Sequence, residues 1–347
     1  MRGYGREWTV VAVAELSLAH LQRTSDALVS TAKRRWNPIK IFCLFSGGSD
    51  SAVLAHRCRD YYDELLYIDT GTAVPTSREP AIVGVEDHVR AFAKLLGKPL
   101  AIKRSGDAYR TMVLGDETWW RRFRAARHER PALTIEAMIA EDSASGKVSS
   151  KVYGNPPFGF PGKGHHAKAY SRLKERRLEE ALRETKAGHP RTSAVLFLSG
   201  IRRTESRRRA KREPLTQRGS AKFCNPLIEW SALDVAAYRN HFDLPVSEVA
   251  ALLHRSGECN CGAFAKAEEE RSLMRTFWPD WWAETIEALE AEAEALGIRW
   301  CRWGGYDLEG NQAAGSGQPG LLCSNCHLRD PGGQQDDAVA AAGGQDG

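Results

Sequence analysis

Short apolar runs alternate with helix-like segments along the first 200 residues of the chain. The run KIFCLF at 40–45 is continuously apolar, as in a strand that is buried on both faces of a sheet. Four such runs are strand candidates, at 40–45, 64–71, 99–104 and 193–200. Helical spacing follows the first two runs, from Asp50 onward and from Val85 to Leu96. The alternation predicts an α/β fold with a doubly wound, mostly parallel sheet that binds ligands at the carboxyl ends of its strands.

The pattern differs before and after this region. Leu18, Leu21, Leu28 and Ala32 share one helical face, which predicts a helix leading into the first strand. Ser231 and Asp234 have capping-box spacing, so we expect a helix to begin there. Further helices are predicted in PVSEVAALLH and from Pro279 to Gly297, so the C-terminal part should be mainly helical.

The charge of the chain is concentrated in its middle. The formal net charge is +5, but residues 120–214 hold 23 Lys and Arg against 10 Asp and Glu, a difference of +13. Such a segment suits a polyanionic ligand, either a nucleotide or a nucleic acid, or it forms a solvated basic face. No apolar run approaches the roughly 18 residues that span a bilayer, and the N-terminus lacks a signal-peptide pattern. We therefore expect a cytoplasmic protein without a membrane partner.

The stretch WWRRFRAARHER, from Trp119, interleaves aromatic residues with arginines. This composition suits stacking and phosphate contact on a nucleic acid. Trp119 and Trp120 are equally consistent with core residues. The sequence leaves both interpretations open.

Eight cysteines occur in a chain without a secretory signal, which argues against a disulfide framework. Four of them form two close pairs, Cys259-x-Cys261 and Cys323-x-x-Cys326. Metal or cluster ligation is the leading interpretation of these four. Thiolates suit either an iron–sulfur cluster or zinc, and the spacing does not choose between them.

The stretch SGGSDS, from Ser46 to Ser51, lies where the first strand ends and a helix begins. Unpaired backbone N–H groups and the helix dipole favour an anion at such a point, and Gly47 and Gly48 allow close approach of the backbone. The stretch has neither the Walker pattern nor the three-glycine dinucleotide fingerprint. By itself it is also compatible with a plain tight turn.

SGGSDS resembles the SGGxDS loop of the PP-loop ATP pyrophosphatases, the superfamily that includes adenylating thiolation enzymes and 3′-phosphoadenylylsulfate (PAPS) reductases. Three further stretches resemble motifs of the PAPS reductase-like branch, in family order: IDTG at 68–71, GIRRTESRRR from Gly200 and NPLIEWSALDV at 225–235. The resemblance extends to phage and actinobacterial members of the branch and to its DNA phosphorothioation relatives. It implies an adenine nucleotide alpha hydrolase-like fold with a helical, cysteine-bearing C-terminal extension.

The resemblance also implies roles for individual residues. The nucleotide-binding positions are Ser46, Gly47, Gly48, Ser49, Asp50, Ser51, Asp69, Gly71, Gly200, Arg202, Ser206 and Arg209. Asp50 and Arg202 are the implied catalytic residues; Asp50 would orient the loop or lie near Mg²⁺ in an adenylating enzyme, and Arg202 would face the anion. The implied ligands of a [4Fe-4S] cluster, with zinc as the alternative, are Cys259, Cys261, Cys323 and Cys326.

The sequence departs from two groups of the branch. The Glu-Cys-Gly-Leu-His string of thioredoxin-dependent PAPS reductases does not occur, and CSNCHLRD is present instead. The paired Cys-Cys of assimilatory adenylylsulfate reductases is also missing from the sequence. We therefore expect a PAPS reductase-family enzyme that binds ATP or adenylyl sulfate and acts in sulfur transfer or reduction.

Two alternatives stay open. One is ATP-dependent sulfuration of a nucleic acid, of the DNA phosphorothioation or tRNA thiolation type, with DNA or tRNA and a cysteine desulfurase or reductant protein as partners. The other is a non-catalytic nucleic-acid-binding member of the fold. The predicted division of the chain is a helical lead-in at 1–38, a PP-loop nucleotide-binding domain at 39–245, a helical cysteine-bearing extension at 246–330 and a disordered tail at 331–347.

Overall fold

A six-stranded sheet forms the centre of the described residues. The computed structural model describes residues 5–146, 150–162, 165–263, 265 and 267–304. The strands are β1 (Lys40–Leu44), β2 (Glu64–Asp69), β3 (Leu100–Arg104), β4 (Val195–Leu198), β5 (Leu215–Arg218) and β6 (Ala221–Cys224). Their order in the sheet is β3-β2-β1-β4-β6-β5.

Neighbouring strands pair in parallel except for β5 and β6, which form an antiparallel hairpin at one edge. The chain builds outward from β1 to β2 and β3 on one side, and from β4 to β6 and β5 on the other. The connections therefore diverge between β1 and β4, which opens a crevice at the carboxyl ends of these two strands. The prediction of a doubly wound, mostly parallel sheet is confirmed.

Helices flank the sheet, and the chain after the last strand, β6, is also helical. They are α1 (Gly5–Trp36), α2 (Ser49–Arg57), α3 (Val85–Leu95), α4 (Ala108–Leu114), α5 (Glu117–Glu129), α6 (Ile135–Ala144), α7 (Ser150–Tyr153), α8 (His166–Tyr170), α9 (Arg176–Thr185), α10 (Arg207–Ala210), α11 (Ala232–His241), α12 (Glu248–Leu253), α13 (Ala267–Phe277), α14 (Pro279–Trp282) and α15 (Ala288–Ala295). One π-helical turn, Ser171–Glu175, joins α8 to α9, and another, Ala283–Glu287, joins α14 to α15. None of the described helices combines the length and the apolar content that crossing a bilayer requires.

Side chains of the central strands are buried on both faces of the sheet. Phe42 stacks on Phe197 with ring centroids 5.6 Å apart, and Phe197 stacks on Phe223 at 5.4 Å. The adjacent residues Cys43 and Leu198 belong to the core on the opposite face. Burial on two faces explains why these strands are continuously apolar in sequence rather than alternating.

The segment between β3 and β4 contains α4 to α9. Trp119 on α5 is fully buried and stacks on Phe123 with centroids 5.3 Å apart. The indole N–H of Trp120 donates to the carbonyl of Leu114 at 2.6 Å. Trp119 is therefore a core residue and does not present its ring for base stacking.

Candidate functional site

A pocket with about 490 Å³ of empty volume opens at the carboxyl ends of β2, β1 and β4. Its apolar wall is formed by Leu44, Leu66, Ile68, Tyr170, Leu178 and Ile201. Its polar lining is formed by Ser46, Ser51, Ser199, Lys174 and Glu258. Small-molecule sites are mainly apolar with a few polar groups that orient the ligand, and this pocket has that composition.

The turn from Ser46 to Ser51 forms one end of the pocket. The hydroxyl of Ser51 donates to the carbonyl of Gly48 at 2.8 Å and accepts the backbone N–H of Ser46 at 3.3 Å. Gly47 has φ +80°, which an L side chain rarely adopts, and a Cβ there would lie 3.4 Å from Val89. The turn therefore needs glycine at this position. Gly48 is the N-cap of α2 and has no side chain to cap the first N–H groups of the helix, which leaves them available to an anion.

Asp50 and Arg202 form a buried ion pair beside this turn. The guanidinium donates from Nε to Oδ1 at 3.0 Å and from Nη2 to Oδ2 at 3.2 Å. Gly200 makes the approach possible, because a Cβ there would meet the Asp50 backbone at 3.2 Å. The two residues assigned to catalysis by the resemblance thus contact each other.

Arg209 is also held by a carboxylate. Its guanidinium pairs with Glu205, and both side chains are buried. Ser206 caps α10 by accepting the N–H of Arg209 at 3.3 Å. The structure therefore places Arg202, Ser206 and Arg209 close together, but carboxylates balance the charge of both arginines.

Asp69 and Gly71 lie at the end of β2. One oxygen of Asp69 accepts the N–H of Gly71 at 2.9 Å, and the other accepts from Arg104 at 2.7 Å. The pocket itself is lined by the preceding residue, Ile68. Asp69 thus shapes the strand end next to the pocket.

The loop that carries Cys259 docks on this same strand end. The hydroxyl of Thr70 donates to the carbonyl of Glu258 at 2.6 Å. The backbone N–H of Asn260 donates to the hydroxyl of Thr72 at 2.9 Å, and its side-chain amide donates to the Thr72 carbonyl at 2.8 Å. Cys259 is therefore held between two residues that are hydrogen-bonded to the end of β2, and the preceding residue lines the pocket.

Glu258 also forms a buried ion pair with Lys174, at 2.5 Å between Nζ and Oε1. Lys174 lies in the π-helical turn before α9, and both side chains line the pocket. The sequence did not single out Glu258. Its position directly before the Cys-x-Cys pair is the signal that could have indicated it.

Cys259 is half-buried, and Cys261 is buried. A hydrogen bond with the Cys259 side chain and, next, burial raise the pKa of the Cys261 thiol. The two sulfur atoms are therefore adjacent. Cys323 and Cys326 lie outside the described residues, and within those residues no group of three or more His, Cys, Asp or Glu side chains is arranged to hold a metal ion.

Arg239 on α11 is a further residue at the turn that sequence reasoning missed. Its Nη1 donates to the hydroxyl of Ser49, the first residue of α2, at 2.8 Å. The contact depends on the packing of α11 against α2, 190 residues apart in the chain. No local pattern in the sequence indicates it.

Three solved structures illustrate the low similarity of the chain to known structures. PAPS reductase from Candida auris, in a phosphate complex, is 15% identical over 69% of this chain and 91% of its own, with a TM-score of 0.38. FMN adenylyltransferase from Candida glabrata, with FAD and inorganic pyrophosphate, is 12% identical over 68% and 60%, with a TM-score of 0.38. The U34-tRNA thiolase NcsA from Methanococcus maripaludis, with its [4Fe-4S] cluster, is 16% identical over 65% and 66%, with a TM-score of 0.29.

No curated protein matches the chain. The model of the phosphoadenosine phosphosulfate reductase domain family does match it, over residues 139–256. That range begins in α6 and includes β4, Arg202, Arg209 and α11, and it ends before Cys259 and excludes the turn at Ser46. The resemblance to the PAPS reductase-like branch is therefore confirmed: residues 139–256 of this chain match the phosphoadenosine phosphosulfate reductase domain.

Proposed function

We propose that this chain is an enzyme that binds an adenine nucleotide, either ATP or an adenylyl sulfate, and acts in sulfur transfer or reduction. The observation that carries the proposal is the pocket itself, which lies at the divergence of β1 and β4 and ends in the uncapped N-terminus of α2. Ligands of open α/β sheets bind at this position. The PAPS reductase domain match over residues 139–256 supports the same function.

The two parts of the pocket suit the two parts of a nucleotide. The apolar wall that includes Ile68, Tyr170 and Ile201 can accept the base. The turn at Ser46–Ser51 offers hydroxyl and backbone N–H donors to phosphate or sulfate oxygens. Asp50 would orient this turn through its pair with Arg202 or, with ATP, lie near Mg²⁺.

A thiolate-bound group is part of the proposal. The adjacent thiols of Cys259 and Cys261 fit two ligand positions of a [4Fe-4S] cluster, with zinc as the alternative, and Cys323 and Cys326 would supply the other two. A bound cluster would supply electrons or hold sulfur for transfer. Thr70 and Thr72 would keep the Cys259 loop beside the nucleotide.

ATP-dependent sulfuration of DNA or tRNA is the second candidate. The observation that favours it is the exposure of three arginines on one helix, α5, in the basic segment: Arg121, Arg124 and Arg127. Exposed cations of this kind suit phosphate contact. This reaction would need Mg²⁺ with ATP and a sulfur source such as a cysteine desulfurase, whereas reduction of an adenylyl sulfate would need a reductant protein.

Calorimetric titration with ATP and PAPS tests the binding site. We expect the Ser46→Ala/Ser51→Ala double variant to bind either nucleotide at least tenfold more weakly, because it loses two hydroxyl groups at the anion end of the pocket. Ser145→Ala, at an exposed helix end, is the matched control and should bind like the wild type. Equal binding by the wild type and the double variant would contradict the location of the site.

The reaction is tested by two assays on anaerobically purified protein. Sulfite release from PAPS would identify reduction, and pyrophosphate release from ATP that depends on DNA or tRNA would identify sulfuration. Ultraviolet–visible spectra with iron and sulfide analysis distinguish a cluster from zinc, and Cys259→Ser and Cys261→Ser should each lower the iron content. If Asp50→Ala retains nucleic-acid affinity and biological phenotype, the protein is a non-catalytic nucleic-acid binder instead.

A further inference from the structure

Three guanidinium groups lie in or next to the network around the N-terminus of α2, and they differ in their partners. Arg202 pairs with Asp50, and Arg209 pairs with Glu205. Arg239 has no carboxylate within ion-pair distance among the residues that the structure describes; its hydrogen bond goes to the neutral hydroxyl of Ser49 at 2.8 Å. The Nε atom of Arg239 is buried and has no hydrogen-bond acceptor among the described residues.

The side chain of Arg239 is half-buried, and its buried Nε is a charged donor that lacks an acceptor in the described part of the chain and is costly to leave unpaired. Burial lowers the pKa of Arg239, and the nearby carboxylate of Asp50 raises it. A guanidinium nevertheless stays protonated at neutral pH. Asp50 itself already accepts two hydrogen bonds from Arg202. The protein groups described around Arg239 therefore do not satisfy it.

The charge balance of the whole cluster leads to the same conclusion. Among the described residues, Arg202 pairs with Asp50 and Arg209 pairs with Glu205, whereas Arg239 has no carboxylate at ion-pair distance. The N-terminus of α2 adds the positive end of a helix dipole at Ser49. One anionic group would complete the cluster.

The backbone that carries Arg239 is held firmly. The preceding residue, Tyr238, is buried and forms a hydrogen bond of 3.0 Å between its Oη and Nδ1 of His56 on α2. The side chain of Arg239 therefore reaches Ser49 from a helix that is packed against α2. This position allows it to hold a ligand without a rearrangement of the fold.

We propose that Arg239 is an anion-binding residue of the site, which contacts oxygens of the terminal phosphate or sulfate group of the ligand together with the Ser49 hydroxyl and the first N–H groups of α2. The proposal rests on the proposed function, since it gives the position of the anionic end of the adenine nucleotide. It assigns direct anion contact to Arg239, because carboxylates already hold Arg202 and Arg209. The guanidinium fork can bind two oxygens of one oxyanion.

Equilibrium titrations of the full chain with inorganic pyrophosphate, ATP and adenosine test this assignment. Arg239→Met should weaken binding of pyrophosphate and ATP by about 10- to 100-fold, the effect of losing a hydrogen bond to a charged group, and leave adenosine binding unchanged. Arg239→Lys should lie between this variant and the wild type, because it keeps the charge but loses the fork. The control is Arg59→Met, an exposed arginine beyond the C-terminal end of α2, which should bind all three probes like the wild type.

The outcomes separate this inference from the proposed function. If Arg239→Met binds pyrophosphate and ATP as the wild type does, or loses adenosine to the same extent, the inference is wrong while the nucleotide site stands. If the wild type binds ATP no more tightly than pyrophosphate and does not bind adenosine, and Arg239→Met no longer binds pyrophosphate, the inference stands and the adenine nucleotide proposal fails. A wild type that binds none of the probes overturns both. Thermal melts identify a variant that does not fold, in which case Arg239→Lys and Ser49→Ala carry the test.

Discussion

Removing the charge of Asp50 should destabilise the fold much more than removing the charge of an exposed carboxylate. Asp50 and Arg202 form a pair with two hydrogen bonds, of 3.0 and 3.2 Å, and their side chains are only 8% and 9% exposed. Breaking a buried ion pair costs about 3–5 kcal/mol, because the remaining charge stays buried without its partner. Glu205 lies 3.9 Å from Arg202 and compensates part of that charge, so we expect about 3 kcal/mol for Asp50→Asn.

Urea unfolding monitored by circular dichroism measures this cost. The free energy of unfolding is obtained for the wild type, Asp50→Asn, Arg202→Met and the double variant, with the slope of each transition compared between proteins. The double variant should lose less stability than the two single variants together, because it leaves neither charge buried alone. The matched control is the exposed pair of Arg130 and Glu141, which also has two hydrogen bonds, of 2.8 and 3.0 Å, with side chains 51% and 52% exposed. Glu141→Gln should cost no more than about 1 kcal/mol.

Two results would refute the reasoning. One is a loss of stability for Asp50→Asn that does not exceed the loss for Glu141→Gln. The other is additivity of the two single variants within about 0.5 kcal/mol, which would mean that Asp50 and Arg202 are not energetically coupled. Either result would show that burial does not set the contribution of this pair.

Three further predictions concern the turn and the core. Gly47→Ala should lower stability by about 1–2 kcal/mol through strain at φ +80° and should also weaken pyrophosphate binding. The control Gly97→Ala, at φ +62° with open space around it, should lower stability without changing pyrophosphate binding. Equal pyrophosphate binding in both variants would contradict a role of the turn. Trp119→Ala should cost about 3–5 kcal/mol in urea unfolding because its fully buried ring leaves a cavity, and a loss below 1 kcal/mol would be inconsistent with a core position. Burial lowers the pKa of His88, so the unfolded chain binds more protons than the folded one, and the free energy of unfolding should fall as the pH drops below about 6.5, the ordinary pKa of histidine. His88→Leu should lose less stability than the wild type between pH 7.5 and 5.5. An unchanged pH dependence in this variant would exclude His88 as its source.

The four predicted strands are present, and β1, β2 and β4 give the strongest signal in the sequence because they are buried on both faces of the sheet. β3, at the other edge of the sheet, is half-buried to exposed. β5 was not predicted. Its residues, LTQR, are half-buried to exposed at the edge of the sheet, so they carry no apolar run. The capping box at Ser231 and Asp234 was predicted and is confirmed, because it depends on residues only three positions apart.

The segment between β3 and β4 shows that amino-acid composition alone does not predict which residues are buried. The helices α4, α5 and α6 form there because buried residues such as Met112, Trp119 and Met138 pack into the core. Arg121, Arg124 and Arg127 of α5 are exposed, whereas Arg122 is half-buried and pairs with Asp142. The same sequence pattern was therefore compatible with base stacking and with a core helix, and only packing distinguished them.

The sequence by itself determined the four predicted strands, the helices with clear apolar periodicity, the glycine turn at Ser46–Ser51 and the family resemblance, since all of these depend on neighbouring residues. Only the tertiary structure decided which charges meet. Asp50 pairs with Arg202 across 152 positions, and Ser49 meets Arg239 across 190, because the order of the sheet brings β4 and α11 to the start of α2. Contacts between residues so distant in the chain follow from how the layers pack, and no local periodicity encodes them.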